Sequence, residues 1–373
     1  MQNGIRCMLM RGGTSKGAYF LSEDLPSDPE ARNRLLLGVM GSPDPRQIDG
    51  IGGAHPLTSK VAIVERSKLP NVDIDFLFAQ VSVEKDLVDT TPNCGNILAG
   101  IGPFAIERGL IAAKEPTTTV RVRTINTGTI AELTVPTPNG HVTYEGDEHI
   151  DGVPGTAAAI TINFLDTAGS VCGSLLPTGH SVDIIDGIQV TCIDNGMPVV
   201  VMKADAVACK GNETVATLDA NAKLKERIEA VRLKAGLLMG MGDVAKAVVP
   251  KIALVSAPRA GGAICTRSFI PHKCHESIGV FAGVSVATAC ILPGTPANAV
   301  AVLPPGSVKR LAIEHPTGEF AVRIELGGTA DAPTVGRAGL VRTARALFDG
   351  KVFVRANAVS RAMDAVSALG QSR

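Results

Sequence analysis

The sequence predicts an α+β fold made of two similar halves, each holding one buried helix enclosed by β-strands. Short runs rich in Val, Ile and Thr, bounded by Gly, Pro, Asn or Asp, recur along the whole chain and are typical of strands. One helical segment in each half is apolar on nearly every side, and a soluble helix of that kind must be enclosed. With 373 residues, the chain also exceeds the usual size of a single core.

The predicted elements follow from hydrophobic periodicity and from turn residues. Strands are predicted at 4–9, 59–65, 74–83, 119–124, 129–135, 157–164, 189–193, 199–202, 251–255, 310–314, 319–326, 338–342 and 351–354. An amphipathic surface helix is predicted at 220–238, and the two enclosed helices at 96–108 and 277–292. A stretch rich in Pro, Gly and polar residues at 175–183 is typical of a linker. We therefore expect domains at 1–182 and 183–344.

The charge and the aromatic content exclude several classes of partner. Lys+Arg and Asp+Glu both number 36, aromatic residues make up 3% and Trp is absent. A neutral chain with few stacking side chains is a poor candidate for binding nucleic acid or a membrane surface. The first residues lack the pattern of a secretory signal, and no apolar run is long enough to span a bilayer. We expect a cytoplasmic protein.

The cysteines and other motifs give no sign of a metal or a bound cofactor. The eight cysteines form no C-x-x-C pair and lie at positions 7, 94, 172, 192, 209, 265, 274 and 290. This spacing supports neither a zinc site nor a redox dithiol, and free thiols are expected. No grouped His, Asp and Glu, Walker A loop or G-x-G-x-x-G fingerprint is found. The expected chemistry uses no metal and no cofactor.

Two residues of the first half are candidates for acid/base chemistry. Cys94 precedes an enclosed helix, where free backbone N–H groups and the helix dipole would stabilise a thiolate. Lys60 begins a strongly apolar strand, and an ammonium group that loses its solvation there can serve as a base. The alternatives are a buried structural cysteine at a helix start and a lysine that reaches back to solvent from a strand end.

Two further clusters contain groups that suit a carboxylate. The segment 11–17 is predicted as a glycine-rich loop with backbone N–H groups, two hydroxyl groups and two cations, Arg11 among them. Its alternative is a simple turn. In the second half, Arg267 and His275 lie shortly before the second enclosed helix, where a guanidinium group and an imidazole could bind a substrate. A histidine in a loop is more often structural, and His272 competes for any role.

With these residues considered, the sequence resembles the PrpF family, and within it the 4-oxalomesaconate tautomerases. The resemblance covers nearly the whole chain and rests on long, unusual motifs. They are MRGGTSKGAYF (10–20), MGSPDPRQIDGIGGAHPLTSKVAIV (40–64), NCGNILAG (93–100), IDNGMPVVV (193–201), TRSFIPHKCHESIGV (266–280) and GLVRTARALFDGKV (339–352).

The resemblance implies a diaminopimelate-epimerase-like fold of two similar domains, with the active site in the cleft between them. A C-terminal strand at about 345–373 would return to the first domain. Lys60 and Cys94 would form the acid/base pair. The residues expected to bind a small polycarboxylate substrate are Arg11, Thr14, Ser15, Asn93, Gly95, Asn96, Arg267 and His275.

The resemblance also implies a reaction, namely cofactor-independent isomerisation of 4-oxalomesaconate in gallate- or protocatechuate-type catabolism. Two alternatives remain open: an isomerase of 2-methylaconitate or methylitaconate, and a polycarboxylate-binding protein without activity. A racemase with two thiols is disfavoured, because the second half presents His275-Glu276-Ser277 where such enzymes have a second cysteine. A homodimer is expected from the frequency of that state among soluble proteins.

Overall fold

The computed structural model describes residues 3–165, 167–329 and 333–355. By packing, this part of the chain divides into two compact units. The first unit comprises 3–162 and 342–355, and the second comprises the described residues between 163 and 341. The chain thus leaves the first unit after Ile162, and the sequence-based boundary at 182 lies within the second unit.

The first unit is a mixed sheet with three helices. Its strands are β1 (Asn3–Gly12), β2 (Ser15–Leu21), β3 (Lys60–Arg66), β4 (Ile74–Val81), β5 (Val88–Asp89), β6 (Thr117–Thr124), β7 (Ile130–Pro136) and β8 (Ala159–Phe164), whose end crosses into the second unit. Its helices are α1 (Pro29–Met40), α2 (Gly95–Leu98) and α3 (Ile101–Glu107). The strand order is β1-β2-β3-β4-β6-β7-β8, with β5 beside β4.

The C-terminal strand returns to the first unit. This strand, β16 (Pro333–Val354), lies next to β8 in the strand order and pairs antiparallel with β1 through residues 344–354. The strand order of the first unit therefore closes on itself, because β16 neighbours both β8 and β1. The predicted strand at about 345–373 is observed as far as Val354, and residues 356–373 lie outside the described part of the chain.

The first enclosed helix is present, but it is broken into α2 and α3. Together the two helices pack against β1, β2, β3, β6 and β7. The break has a local cause, since Pro103 lacks an N–H group and is tolerated only in the first turn of a helix. The carbonyl oxygen of Ile97 at the break accepts a hydrogen bond from the buried Tyr19 hydroxyl at 2.7 Å. Gly100 is required there, because an added Cβ would lie 2.4 Å from that hydroxyl oxygen.

The second unit repeats the arrangement of strands around a helix. Its further strands are β9 (Asp183–Ile185), β10 (Ile188–Asp194), β11 (Pro198–Lys203), β12 (Lys251–Ser256), β13 (Ile264–Phe269), β14 (Val308–His315) and β15 (Gly318–Gly328), which pairs with the N-terminal part of β16. Its helices are α4 (Val215–Ala220), α5 (Ala222–Leu238) and α6 (Val280–Ile291). The strand order is β15-β14-β13-β12-β11-β10-β9.

Helix α6 is the second enclosed helix, and the structure confirms it. Every residue from Ala282 to Ile291 is buried, and the helix packs against β10, β11, β14 and β15. The predicted α+β class, with one buried helix among the strands of each half, is therefore confirmed. No helix in the described part of the chain is long and apolar enough to cross a membrane.

One local prediction was wrong, and some elements were not predicted. The glycine-rich loop at 11–17 is a β-hairpin, because Gly12 pairs with Ser15 and only Gly13 and Thr14 form the turn. Helix α1 and strand β13 were not predicted, although Asp28 caps α1 through its side chain. The helix predicted at 220–238 is confirmed as α5, which starts two residues later because Asn221 caps it.

Candidate active site

Lys60 is buried and has a neutral hydrogen-bond partner. It is the first residue of β3, and only 8% of its surface is exposed. Its Nζ donates a hydrogen bond to Gln80 Oε1 at 2.6 Å and lies 5.0 Å from the centre of the Phe78 ring. Among the described residues, no carboxylate forms an ion pair with it. The Lys60 amine is therefore held by an uncharged amide group and an aromatic ring in the interior of the first unit.

Gln80 is fixed so that its oxygen faces the lysine. Its Nε2 donates to the carbonyl oxygens of Pro56 and Ser59, both at 3.1 Å, and to that of Val81 at 3.4 Å. These three acceptors occupy the amide nitrogen, so Oε1 is the atom left for Lys60. Gln80 therefore orients the amine through an uncharged group.

Cys94 lies at the start of α2, as predicted. It is the N-cap residue, in an extended conformation, and its carbonyl oxygen accepts the first helical hydrogen bond, from Leu98 N at 2.9 Å. The thiol is free and partly exposed, and it makes no capping hydrogen bond. Backbone N–H groups in the first turn of a helix have no partner within the helix. The N–H groups of Gly95 and Asn96, the two residues after Cys94, therefore have no partner within the helix.

The β1–β2 turn packs against Asn96. Asn96 Nδ2 donates to Thr14 Oγ1 at 3.0 Å and to Ser15 Oγ at 3.5 Å. An added Cβ at Gly12 would lie 2.4 Å from Asn96 O, and one at Gly13 would lie 2.2 Å from Asn96 Oδ1. The two glycines thus allow the turn to approach the helix start closely. The structure brings Thr14, Ser15 and Asn96 together beside Cys94.

Arg11 holds this turn in place from within the unit. Its Nη1 donates to Gly13 O at 2.9 Å and to Thr343, at 3.1 Å to the carbonyl oxygen and 2.9 Å to Oγ1. Gly13 N also donates to Thr343 O at 2.8 Å. Burial lowers the pKa of Arg11, with nearby Arg345 adding to the effect. These contacts give Arg11 a structural task, and its predicted role in substrate binding stays a prediction.

The starts of β3 and α2 lie on either side of one glycine. Gly17 pairs with Lys60 across the parallel strands β2 and β3. An added Cβ at Gly17 would lie 2.6 Å from Lys60 O and 3.1 Å from Ile97 Cδ1. Ile97 follows Cys94 by one helical turn. Only a residue without a side chain allows the helix to pack this close to the strand that begins with Lys60.

The β6–β7 turn is a part of this region that the sequence analysis missed. Asn93, the residue before Cys94, donates from Nδ2 to Thr127 Oγ1 at 2.5 Å. The neighbouring Asn126 accepts a hydrogen bond from Phe78 N and donates to Phe78 O, both at 2.9 Å. The Asn-Thr-Gly sequence between two strands is a turn signal that marked the position, but not its partners.

Arg267 lies on a strand of the second unit, in a segment for which no strand was predicted. It is in β13 and is 7% exposed. Its Nε donates to Glu213 O and its Nη1 to Thr266 O, both at 2.7 Å. Two donors of the guanidinium group are thus directed at backbone oxygens. Its predicted role as a substrate ligand stays a prediction.

His275 is next to the strand that carries Arg267 and has a defined tautomer. Its backbone N–H donates to Ser268 O at 2.7 Å, and its Nδ1 accepts a hydrogen bond from Ser277 N at 2.8 Å. Nδ1 is therefore unprotonated and Nε2 carries the proton of the neutral ring. Burial, and to a lesser extent the charge of Lys251, lowers the pKa of His275. The ring is a neutral hydrogen-bond donor near pH 7.

Two neighbours of His275 have other surroundings. The His272 side chain is 61% exposed, and its Nδ1 lies 3.8 Å from Glu229 Oε2 on the surface. Cys274 is buried, and burial raises the pKa of its thiol to about 11. A thiol of that pKa stays protonated at neutral pH and is a poor base. Cys274 therefore does not supply the second reactive thiol of a racemase.

Comparison with known proteins identifies the family. The family described as PrpF protein matches residues 2–355. The chain belongs to the PrpF family. Within the family, it is 60% identical over 348 residues to a (4E)-oxalomesaconate Delta-isomerase of Novosphingobium sp. (strain KA1), covering 93% of this chain and 97% of that protein. It is 57% identical over 353 residues to a 4-oxalomesaconate tautomerase of Pseudomonas putida, covering 95% and 97%.

A solved structure shows the fold of the family. The crystal structure of a methylitaconate-delta-isomerase is 36% identical to this chain and superposes with a TM-score of 0.83. The likeness covers 96% of this chain and 97% of that one. The expected PrpF membership is confirmed, and the chain has the fold of this methylitaconate-delta-isomerase.

Proposed function

We propose that this chain is an isomerase that moves a proton within 4-oxalomesaconate, by keto–enol tautomerisation or by a 1,3-allylic shift. The relatives at 60% and 57% identity carry the names of an isomerase and a tautomerase of this compound. The observation that carries the mechanism is Lys60, buried with an amide oxygen at 2.6 Å as its partner. A site that only binds a polyanion would not need a lysine that is buried and hydrogen-bonded to an amide oxygen.

In the proposed mechanism, Lys60 removes a proton from a carbon atom conjugated to a carbonyl or carboxylate group. The electron pair moves onto the conjugated oxygens as a dienolate. Cys94 then delivers a proton elsewhere on the same system. The N–H groups at the start of α2 and the Ser15 hydroxyl favour negative charge that develops nearby. General acid/base catalysis contributes about 10²–10⁴-fold, so electrostatic stabilisation supplies much of the remaining acceleration.

The proposal extends to the finer roles predicted from the sequence. Substrate binding is assigned to the residues that the resemblance implies, namely Arg11, Thr14, Ser15, Asn93, Gly95, Asn96, Arg267 and His275. The chemistry is proposed to need neither metal nor cofactor, because the proton transfer is assigned to the side chains of Lys60 and Cys94. A cytoplasmic location and a role in aromatic-acid catabolism complete the proposal.

The substrate is tested by comparing kcat/KM for 4-oxalomesaconate, 2-methylaconitate and 3-methylitaconate, with and without a chelator. We expect the highest value for 4-oxalomesaconate and no effect of the chelator. A higher value for either methylated compound would move the assignment to that substrate, as the likeness to a methylitaconate-delta-isomerase allows.

The alternative of a binding protein without activity is tested with Cys94→Ser. We expect turnover to fall by about 10²–10⁴-fold, while substrate affinity measured by calorimetry stays within a few fold. Cys172→Ser is the matched control, because Cys172 is another partly exposed free thiol and lies in the second unit. Unchanged turnover in Cys94→Ser would remove Cys94 from the mechanism.

A further inference from the structure

The side chain of Asn126 completes the pairing of β4 where β6 turns away. Strands β4 and β6 run parallel, and Phe76 pairs with Thr124 at the end of β6. One step further along β4, the Asn126 amide receives the hydrogen bond of Phe78 N and donates one to Phe78 O, both at 2.9 Å. One side chain thus satisfies both backbone groups of Phe78, as a neighbouring strand would.

The same turn holds the segment that leads to Cys94. Asn126 Nδ2 also donates to Thr90 O at 2.6 Å, and Thr127 Oγ1 accepts from Asn93 Nδ2 at 2.5 Å. Thr90 and Asn93 are the two ends of the four residues that precede Cys94. Asn126 and Thr127 therefore fix this segment at both ends.

Asn126 is hydrogen-bonded to β4, and β4 also carries the two side chains that contact the Lys60 amine. The centre of the Phe78 ring lies 5.0 Å from Lys60 Nζ. Gln80, two residues further along β4, accepts a hydrogen bond from that Nζ. The Asn126 amide is thus hydrogen-bonded both to Phe78, which packs against the Lys60 amine, and to the segment that precedes Cys94. Asn126 makes no hydrogen bond with Lys60 or Cys94 themselves.

We propose that Asn126 is a positioning residue that sets the geometry between the Lys60 amine and the Cys94 thiol. This inference rests on the proposed function of those two groups. In this role, Asn126 determines how the dienolate divides between product and substrate. When the thiol is correctly placed, the dienolate goes forward to product. When it is displaced, the dienolate takes a solvent proton at its original carbon and returns to substrate.

The test uses Asn126→Asp, which keeps the acceptor for Phe78 N but removes the donor to Phe78 O and Thr90 O. In deuterated water, we expect kcat to fall by about 10²-fold, as an error of about 1 Å in position can cause, with little change in KM. Substrate recovered at half conversion should carry deuterium in the variant and little in the wild type. Thr127→Val should show the same change more weakly, and Thr127→Ser should restore the wild-type partition because it keeps the hydroxyl group.

Asn139→Asp is the matched control, because Asn139 is an exposed turn asparagine of the same unit. It should change neither kcat nor the partition. If Asn126→Asp lowers only the thermal midpoint and leaves the partition and kcat of the folded protein unchanged, its role is structural and the inference is wrong.

A second measurement separates this inference from the proposed function. The rate at which iodoacetamide alkylates Cys94, measured by mass spectrometry relative to Cys172, depends on the position of the segment but not on turnover. We expect a rise of about tenfold in Asn126→Asp, the size of effect that loss of one or two hydrogen bonds produces. An unchanged rate would overturn the inference even if the wild type proves inactive, whereas an inactive wild type alone would overturn only the function.

Discussion

Replacing Gln80 by Glu tests whether the uncharged surroundings of Lys60 serve the reaction. The two side chains have nearly the same size, so the substitution puts a carboxylate where an amide oxygen now lies 2.6 Å from Lys60 Nζ. A negative charge at that distance favours the ammonium form. If the neutral amine removes the first proton, activity will then appear only at higher pH.

The size of the effect follows from the distance. Two opposite unit charges at 2.6 Å attract each other by roughly 1.6 kcal/mol even at the permittivity of water. A change of about 1.36 kcal/mol is equivalent to one pH unit. The lower pH midpoint of kcat/KM should therefore rise by at least about one unit, and more because Lys60 is buried.

The assay is the pH profile of kcat/KM for 4-oxalomesaconate in the wild type, Gln80→Glu and Gln80→Met. Met also lacks the donors to the carbonyl oxygens of Pro56, Ser59 and Val81 but carries no charge. It should lower activity without raising the midpoint. A Gln80→Glu midpoint equal to that of the wild type or below it would refute the assignment of the Lys60 amine as the base.

Two further predictions concern stability. Gly13→Ala should lower the free energy of unfolding by about 1–3 kcal/mol, because Gly13 has φ +52° and its new Cβ would lie 2.2 Å from Asn96 Oδ1. Denaturant titration checks this against Gly155→Ala, where φ is +75° but the space is open and the loss should be smaller. Because burial lowers the pKa of His275 below its ordinary 6.5, the unfolded chain binds more protons between the two values, and stability falls as pH falls below 6.5. His275→Asn, which keeps an acceptor for Ser277 N, should weaken this dependence between pH 7 and 5; an equal slope in both proteins would remove His275 as its source.

The fold was predictable because its signals are local. Strands such as 74–83 and the apolar helix at 277–292 are recognised from a few consecutive residues, and the structure places them at Ile74–Val81 and Val280–Ile291. The failure at 11–17 has the opposite cause. Ser15, Lys16 and Gly17 have no strong strand preference, and they form β2 because β1 and β3 lie on both sides.

The site was predictable only in part, because its supporting contacts are distant in sequence. Lys60 and Cys94 were identified from their own neighbours, a strand start and a helix start. Gln80 is 20 residues from Lys60, and Asn126 is 48 residues from Phe78. No local pattern connects such pairs. The register of β3 and β4 brings the first pair together, and the position of the β6–β7 turn brings the second together.

The central claim, that Lys60 and Cys94 move a proton within the substrate, is tested most directly by NMR in deuterated water. Purified wild type, Lys60→Met and the control Lys203→Met are each followed with 4-oxalomesaconate, without added metal or cofactor. The account predicts that the wild type and Lys203→Met form an isomer with deuterium at the carbon atom that gains the proton, and that Lys60→Met does not. Equal conversion by Lys60→Met, or an isomer from the wild type without deuterium at that carbon throughout the time course, would contradict the account.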